Sequence, residues 1–169
     1  MAAAPGTRRF PFPLPNGWYQ VAYSDEVPVG EVKPLRYFAT ELVAFRGEDG
    51  EAHVLDAYCP HLGAHLGHGA RVVGDRIRCP FHALEFAGSG RCARIPYAKR
   101  IPPRAEIRSW RVCEKNGMVL VHFDKQGRPP AFCSAHGCRS SLSKHRRGAH
   151  RDVMALCPGR RAGEPETAL

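Results

Sequence analysis

The sequence predicts an all-β protein, built as an antiparallel β-sandwich or a small barrel. Its 17 Gly and 15 Pro among 169 residues, with few long apolar stretches, favour short strands and turns over long helices. Short runs of aromatic and β-branched residues recur along the chain, and turn residues separate them. Asn116-Gly117 joins two alternating runs, which is the strongest short-range signal for a β-hairpin. A chain of this length is expected to form one domain.

The individual strands follow from local pattern. The runs WYQVAY and RYFATELVAF are rich in aromatic and β-branched residues, and HVLDAY alternates and leads directly into Cys59. Gly74-Asp75 separates two short runs that read as a hairpin leading into Cys79, and Gly88-Ser89-Gly90 closes the strand after it. The predicted strands span 18–23, 36–45, 53–58, 71–73, 76–78, 83–86, 109–114 and 118–123.

The two ends of the chain differ from its middle in composition. Residues 1–15 contain a twin Arg followed by closely spaced Pro instead of an apolar segment, so we predict an extended arm and no export signal. Residues 16–131 are predicted to form the folded domain, since all 15 aromatic residues lie at or before Phe132. We expect residues 132–169, which show neither a strand nor a helix period, to form an irregular and mostly disordered tail.

Charge and cysteine content narrow the function. The formal net charge is +9, and the stretch 91–111 carries seven Lys and Arg against one acid, Glu106. This stretch is either a docking face for an acidic redox protein or a solvated surface. No nucleic-acid-binding motif accompanies the charge, and no apolar run approaches the roughly 20 residues that span a bilayer. We therefore predict a cytoplasmic protein with no transmembrane segment and no nucleic-acid partner. Its seven Cys, an odd number, exclude a fully paired disulfide framework.

Two short motifs carry the chemistry. Cys59-Pro60-His61 is followed after 17 residues by Cys79-Pro80-Phe81-His82, and each motif comes at the end of a predicted strand. Each motif supplies one thiolate and one imidazole, which is the ligand set of a Rieske-type [2Fe–2S] cluster. In such a cluster both thiolates bind one iron and both imidazoles bind the other. We predict that Cys59, His61, Cys79 and His82 bind this cofactor and that the imidazoles face a redox partner.

Other interpretations of these four residues stay open at this point. Zinc also accepts two Cys and two His, although structural zinc sites favour Cys pairs separated by two to four residues. The four side chains could instead be unrelated core residues, or a nucleophile and its base, although two Cys–His pairs of this form have no role in that chemistry. His65 and His68 are interpreted as polar loop residues and not as ligands.

The segments around the motifs carry a family resemblance. CPHLGAHLGHG, CPFHALEFAGSGRC and IPYAKRIPPRAEIRSW resemble the Rieske domain of Rieske non-haem iron oxygenases, in particular the oxygenase component of 3-ketosteroid 9α-hydroxylases and related cholesterol desaturases. The resemblance covers approximately residues 15–131. It implies a ferredoxin or flavin reductase as electron donor and a mononuclear iron as acceptor. That acceptor iron usually lies in the neighbouring subunit of a head-to-tail homotrimer.

Single positions refine the resemblance. Respiratory Rieske proteins have a disulfide-forming Cys in each cluster loop, at positions where this chain has Ala64 and Phe81, so the oxygenase or ferredoxin type is implied. Many of the oxygenases have Trp where this chain has Leu84. Leu keeps an apolar cover at that position but lacks the indole N–H donor.

The resemblance further implies a second domain, about twice as large, that holds iron by two His and one carboxylate. The chain ends where that domain is expected, so we interpret it as a truncated or frameshifted oxygenase with a foreign tail, and leave its enzymatic activity open. A stand-alone Rieske ferredoxin is the alternative. In the tail, His145, His150 and Asp152 resemble an iron triad and Cys133, His136 and Cys138 a zinc site. A metal site must sit on rigid elements, and residues 133–169 have no aromatic residue and almost no apolar pattern, so neither set is predicted to bind metal.

Overall fold

Residues 13–130 are described by a computed structural model, and within this range the chain forms eleven β-strands and one turn of 3₁₀ helix, Ser24–Glu26. The strands are β1 Gly17–Tyr23, β2 Val32–Tyr37, β3 Thr40–Arg46, β4 Ala52–Asp56, β5 Arg71–Val73, β6 Arg76–Arg78, β7 Glu85–Ala87, β8 Cys92–Arg94, β9 Ser109–Trp110, β10 Val112–Lys115 and β11 Met118–Phe123.

The strands form three antiparallel sheets. The first has the order β1-β11-β10, the second β2-β3-β4-β9, and the third β5-β6-β7-β8. All strand pairs are antiparallel. The predicted all-β antiparallel fold is therefore confirmed.

The second sheet lies between the other two, because both of its faces are buried. Leu42 and Ala44 of β3 pack into one apolar cluster with β1, β10 and β11. Their neighbours Val43 and Phe45 pack into a second cluster with β6 and β7. Successive side chains of a strand point to opposite faces, so the continuous apolar run of β3 fits a strand covered on both sides.

Two predicted hairpins are confirmed at residue level. β10 and β11 pair with Lys115 opposite Met118, and the two residues between them, Asn116 and Gly117, have φ angles of 53° and 73°. β5 and β6 pair with Val73 opposite Arg76 around Gly74-Asp75. In both places the turn chemistry is local, so sequence alone could identify it.

The prediction of one strand over 36–45 is wrong. The chain reverses at Phe38 and Ala39, which both have φ of 56°, and Tyr37 pairs with Thr40 across this turn. Neither residue is a usual turn former. The aromatic ring of Phe38 stacks on Trp110 at 5.3 Å and on Phe123 at 4.8 Å, which offsets its left-handed backbone.

Other strand boundaries also change. The predicted strand 109–114 divides at Arg111, because β9 pairs with β4 of the second sheet and β10 with β11 of the first. The strand predicted from 83 begins at Glu85, and β8 was not predicted. Within residues 13–130 no helix is long and apolar enough to cross a membrane. The tail predicted over 132–169 and most of the arm predicted over 1–15 lie outside the described residues, and the domain boundaries stay a prediction.

Candidate metal centre

The first predicted ligand loop follows β4 and is closed by hydrogen bonds to the backbone of Cys59. The Cys59 N–H donates to the Ala64 carbonyl at 2.9 Å, and the Cys59 carbonyl accepts from the Gly63 N–H at 2.9 Å. Gly63 has φ of 71°, a left-handed conformation that glycine adopts without strain. The loop therefore turns back within five residues, and places Cys59 at its base.

The second loop follows β6 and repeats this construction around Cys79. The Cys79 N–H donates to the Leu84 carbonyl at 2.8 Å, and the Cys79 carbonyl accepts from the Ala83 N–H at 3.2 Å. Ala83 has φ of 57° at the position that corresponds to Gly63. The two loops therefore close with the same pair of hydrogen bonds and a left-handed residue four positions after the Cys, and each has Pro directly after its Cys.

The two thiols lie together in the interior. Cys59 is 2% exposed and Cys79 is 3% exposed, and both belong to the apolar cluster between the second and third sheets. Burial raises the pKa of Cys59 to about 11; hydrogen bonding from the backbone N–H of His61 lowers it, and the adjacent Cys79 thiol raises it. A buried pair of this kind ionises readily only when a cation compensates both thiolates.

The two imidazoles lie together at the surface. His61 and His82 are both exposed, with ring centroids 4.9 Å apart and ring planes at 81°. The Phe81 and Tyr97 rings lie 6.2 Å and 6.4 Å from His82, and Leu62 follows His61 in the first loop. Leu62, Phe81 and Tyr97 are 66%, 66% and 62% exposed, so His82 lies beside two uncovered aromatic rings and His61 precedes an uncovered Leu.

Other predicted positions are located as follows. The His65 Nδ1 accepts a hydrogen bond from the Gly67 N–H at 3.0 Å, and its Nε2 lies 3.6 Å from the Glu41 carboxylate, which fits a loop-ordering residue. Leu84 is 3% exposed and packs in the cluster that contains both cysteines. Every Cys within residues 13–130 is a free thiol. The tail candidates Cys133, His136, Cys138, His145, His150 and Asp152 lie outside the described residues.

Sequence reasoning missed a charged cluster in the sheet that carries the second loop. Glu85 is 0% exposed, and its carboxylate is paired with Arg76, Arg78 and Arg94 at 3.2, 2.8 and 3.2 Å. Burial raises the pKa of Glu85, but the three guanidinium groups outweigh it and hold the pKa below the usual 4.5. The sequence signal is weak, because alternating Arg and Glu on short strands is also typical of a solvated surface.

Comparison with known proteins agrees with this geometry. The family model of the Rieske [2Fe-2S] domain matches residues 17–111. Cholesterol 7-desaturase of Hemicentrotus pulcherrimus is 45% identical over 122 residues, which cover 70% of this chain and 26% of the desaturase. A probable 3-ketosteroid-9-alpha-monooxygenase oxygenase component of Rhodococcus rhodochrous is 46% identical over 117 residues, 69% of this chain and 29% of that protein.

Solved structures show the same fold. Dicamba monooxygenase bound to dicamba matches with a TM-score of 0.59 and 29% identity over 69% of this chain and 37% of that chain. The reduced complex between oxygenase and ferredoxin in carbazole 1,9a-dioxygenase matches with a TM-score of 0.58 and 28% identity over 68% of this chain and 30% of that chain. The chain spans about a quarter to a third of the length of the curated relatives it matches.

Proposed function

The chain belongs to the family of Rieske [2Fe–2S] domains, which bind a Rieske-type cluster, and from this we propose that it relays single electrons through a site formed by Cys59, His61, Cys79 and His82. The observation that carries the proposal is the division of these side chains into a buried thiol pair and an exposed imidazole pair. The matched backbone of the two loops supports it, since both loops present their ligands from the same kind of turn.

The donor set fits the cofactor. When bound, the cluster supplies one-electron chemistry, and replacing two thiolates by two neutral imidazoles raises its potential above that of all-Cys clusters. Cys59 and Cys79 exclude water from the inner side because they lie in an apolar core. His61 and His82 present their rings to solvent, where a partner can approach them directly.

A docking surface around the imidazoles supports electron relay. The exposed Phe81 and Tyr97 provide apolar contact area beside His82. Lys99 and Arg100 are exposed and follow Tyr97 in the basic stretch 91–111. Apolar contact area with positive charge next to it in the chain suits a partner with acidic side chains beside its redox centre.

Other cations of the basic stretch have roles inside the molecule. Arg94 pairs with the buried Glu85 at 3.2 Å, and the Arg108 guanidinium lies 4.2 Å from the centre of the Trp110 ring. We assign the docking role to Lys99 and Arg100 because they are the cations that follow Tyr97, beside His82, most closely in the chain. In this proposal only part of the basic stretch 91–111 is a docking face, which was one of the two interpretations that the sequence left open.

We assign the domain to a steroid-type Rieske oxygenase system, with a ferredoxin or flavin reductase as donor. The named relatives act on cholesterol and on 3-ketosteroids, and one solved neighbour is a complex of oxygenase and ferredoxin. Delivery of electrons to a mononuclear iron in a partner subunit, in a homotrimer, belongs to the same proposal.

Metal analysis and spectroscopy test the ligand assignment. Protein purified without oxygen should contain two iron and two labile sulfide per chain, with an EPR spectrum of mixed His and Cys ligation. Replacing His61 or His82 by Ala should abolish that spectrum, whereas His68→Ala, in the same loop as His61, should preserve it. One zinc without sulfide, or loss of the spectrum only in His68→Ala, contradicts the assignment.

Electron-transfer kinetics test the docking surface. The double substitution Lys99→Glu and Arg100→Glu should slow association with a reduced acidic ferredoxin about tenfold or more at low salt, because electrostatic steering is reversed. Lys115→Glu with Lys125→Glu, two exposed charges at the end of β10 and in the loop after β11, serves as the matched control. Equal slowing by both variants, or no dependence on ionic strength, removes the docking proposal.

The reduction potential is expected near the lower end of the roughly −150 to +300 mV Rieske range. The loops have Ala64 and Phe81 at the positions of the disulfide-forming Cys of respiratory Rieske proteins, and the loop segments 59–68 and 79–86 contain no Ser, Thr or Tyr hydroxyl to donate to the sulfurs. Protein-film voltammetry that gives a value near the top of the range contradicts this.

Turnover of a 3-ketosteroid by the reduced chain and a mononuclear-iron partner protein, against none with the partner alone, separates the oxygenase role from that of a stand-alone Rieske ferredoxin.

A further inference from the structure

A second group of metal-ligating side chains lies at the hairpin between β3 and β4. Asp49, Glu51 and His53 each offer one ligand atom, and these atoms all lie within 4.8 Å of one another. Asp49 is exposed, Glu51 half-buried and His53 buried. The group therefore runs from solvent into the protein, with the imidazole at its inner end.

His53 is the observation that separates this group from an ordinary acidic turn. Its side chain is 5% exposed, and neither ring nitrogen has a hydrogen-bond partner among residues 13–130. The ring packs on Phe45, with centroids 5.0 Å apart, and a Cβ added to Gly88 would lie 2.1 Å from Nδ1. A buried polar group without a partner is costly, and each such group in a native structure calls for an explanation.

The local charge favours a cation. Asp49 and Glu51 bring two carboxylates within 4.8 Å of the His53 imidazole, and Asp75 accepts a hydrogen bond from the Asp49 backbone N–H at 3.0 Å. Arg46 is a cation beside the same turn, since its Nη1 donates to the Gly50 carbonyl at 2.7 Å. Its guanidinium is engaged by the Glu114 carboxylate at 2.8 and 2.9 Å, which offsets its charge.

We propose that Asp49, Glu51 and His53 bind a divalent transition-metal ion of the zinc type, separate from the iron–sulfur cluster. One imidazole nitrogen and two carboxylate oxygens are a ligand set that zinc accepts, with water in the fourth position. Donor atoms around tetrahedral zinc are about 3.3 Å apart. Binding therefore requires these separations to contract by up to about 1.5 Å, and Asp49 has its Oδ2 to offer the ion, since its Oδ1 accepts a hydrogen bond from the Glu51 N–H at 2.9 Å.

The position of the site indicates a structural role. The turn that carries Asp49 also contacts the β5–β6 turn, because the Glu48 N–H donates to the Gly74 carbonyl at 3.1 Å. On its other side His53 rests against Gly88, which follows β7. A bound ion would therefore brace the β3–β4 segment, which supplies all three ligands, at the place where this segment contacts the sheet that carries the second cluster loop.

Zinc titration of the cluster-loaded chain tests the site, with iron and sulfide measured before and after. We expect one zinc per chain at unchanged iron content, and binding of calcium and magnesium about 100-fold weaker, since these ions favour all-oxygen sites. Asp49→Asn should raise the Kd about 10- to 100-fold, and His53→Gln should abolish binding. Asp25→Asn, an exposed acid in the 3₁₀ turn, should leave the Kd unchanged.

The controls separate this site from other zinc-binding groups. Cys133→Ser with Cys138→Ser removes the thiols of the tail and should leave the zinc affinity unchanged. Asp49→Asn changes an exposed side chain, so its effect on Kd is readable even if His53→Gln unfolds the domain. The proposal is overturned if the wild type binds no zinc, if zinc uptake matches iron loss, if binding survives Asp49→Asn unchanged, or if the Cys133 and Cys138 substitutions remove it.

Discussion

Replacing Glu85 by Gln tests the buried charge cluster beneath the second cluster loop. The carboxylate of Glu85 is 0% exposed, while the side chains of its partners Arg76, Arg78 and Arg94 are 39%, 38% and 56% exposed. The substitution keeps the shape of the side chain and removes its charge. The three guanidinium groups then lose a common anion, but they can regain water.

The expected magnitude follows from this asymmetry. Removing one partner of a buried ion pair costs about 3–5 kcal/mol when the other charge stays buried. Here the remaining charges are partly solvated, so we expect a loss of about 2–3 kcal/mol in the free energy of unfolding. With a urea m-value of about 1–3 kcal/mol per molar, the unfolding midpoint should fall by roughly 0.7–3 M.

The effect should depend on pH in a defined direction. The three arginines lower the pKa of folded Glu85 below the usual 4.5 despite its burial. A carboxylate with a depressed folded pKa stabilises fully above its unfolded pKa and loses this stabilisation as the pH falls through the folded value. The difference between wild type and Glu85→Gln should therefore be complete at pH 7 and shrink below pH 4.5.

Urea unfolding of the cluster-loaded protein, followed by both Trp fluorescence and cluster absorbance, measures these differences. Coincident transitions are required before a free energy is calculated. Glu26→Gln is the matched control, because Glu26 pairs with Lys33 at 2.8 Å on the exposed surface, and it should leave the midpoint unchanged. The reasoning is refuted if Glu85→Gln shifts the midpoint no more than this control, or if the difference persists undiminished in acid.

Two further predictions concern single backbone positions, each measured by urea unfolding. Gly90→Ala should lower the free energy of unfolding by about 3 kcal/mol or more, because the new Cβ would lie 1.9 Å from the Ile107 carbonyl oxygen at φ of +83°. Gly17→Ala, whose Cβ would have nothing within 4 Å, should change it by less than about 0.5 kcal/mol. Similar values for the two variants would contradict the contact. Gly63→Ala should lower the free energy of unfolding by about 1 kcal/mol, from its left-handed φ alone. Ala83→Gly, at the corresponding position of the other loop, should raise it by up to about 1 kcal/mol. A loss of stability in both variants would show that the loops are not equivalent.

The cofactor and the local turns were readable from the sequence for physical reasons. Ligand chemistry is a property of residue types, so the order of Cys59, His61, Cys79 and His82 indicates a mixed-ligand cluster before any fold is known. Asn116-Gly117 specifies its hairpin because a two-residue turn with both φ angles positive is satisfied within the turn itself. The alternating and apolar runs likewise identified strands, since side chains of a strand point alternately to its two faces and apolar residues mark the buried ones.

Tertiary structure decided the features that depend on distant parts of the chain. Phe38 adopts a left-handed turn only because rings from β9 and β11 stack on it. The strand that the sequence predicts over 109–114 divides at Arg111, because two different sheets compete for its two halves. Strand propensity is a property of one short segment, so it cannot predict which distant rings will stack on a turn or which sheet a strand will join.

The same distinction holds at the site. Sequence named the two thiols and two imidazoles, but only folding makes the thiols a buried pair and the imidazoles an exposed one. Glu85 and His53 are ordinary polar residues of short strands until packing encloses them, Glu85 under three arginines and His53 against Gly88. Burial changes the cost of a charge or an unpaired nitrogen, and burial is set by contacts between segments far apart in the chain.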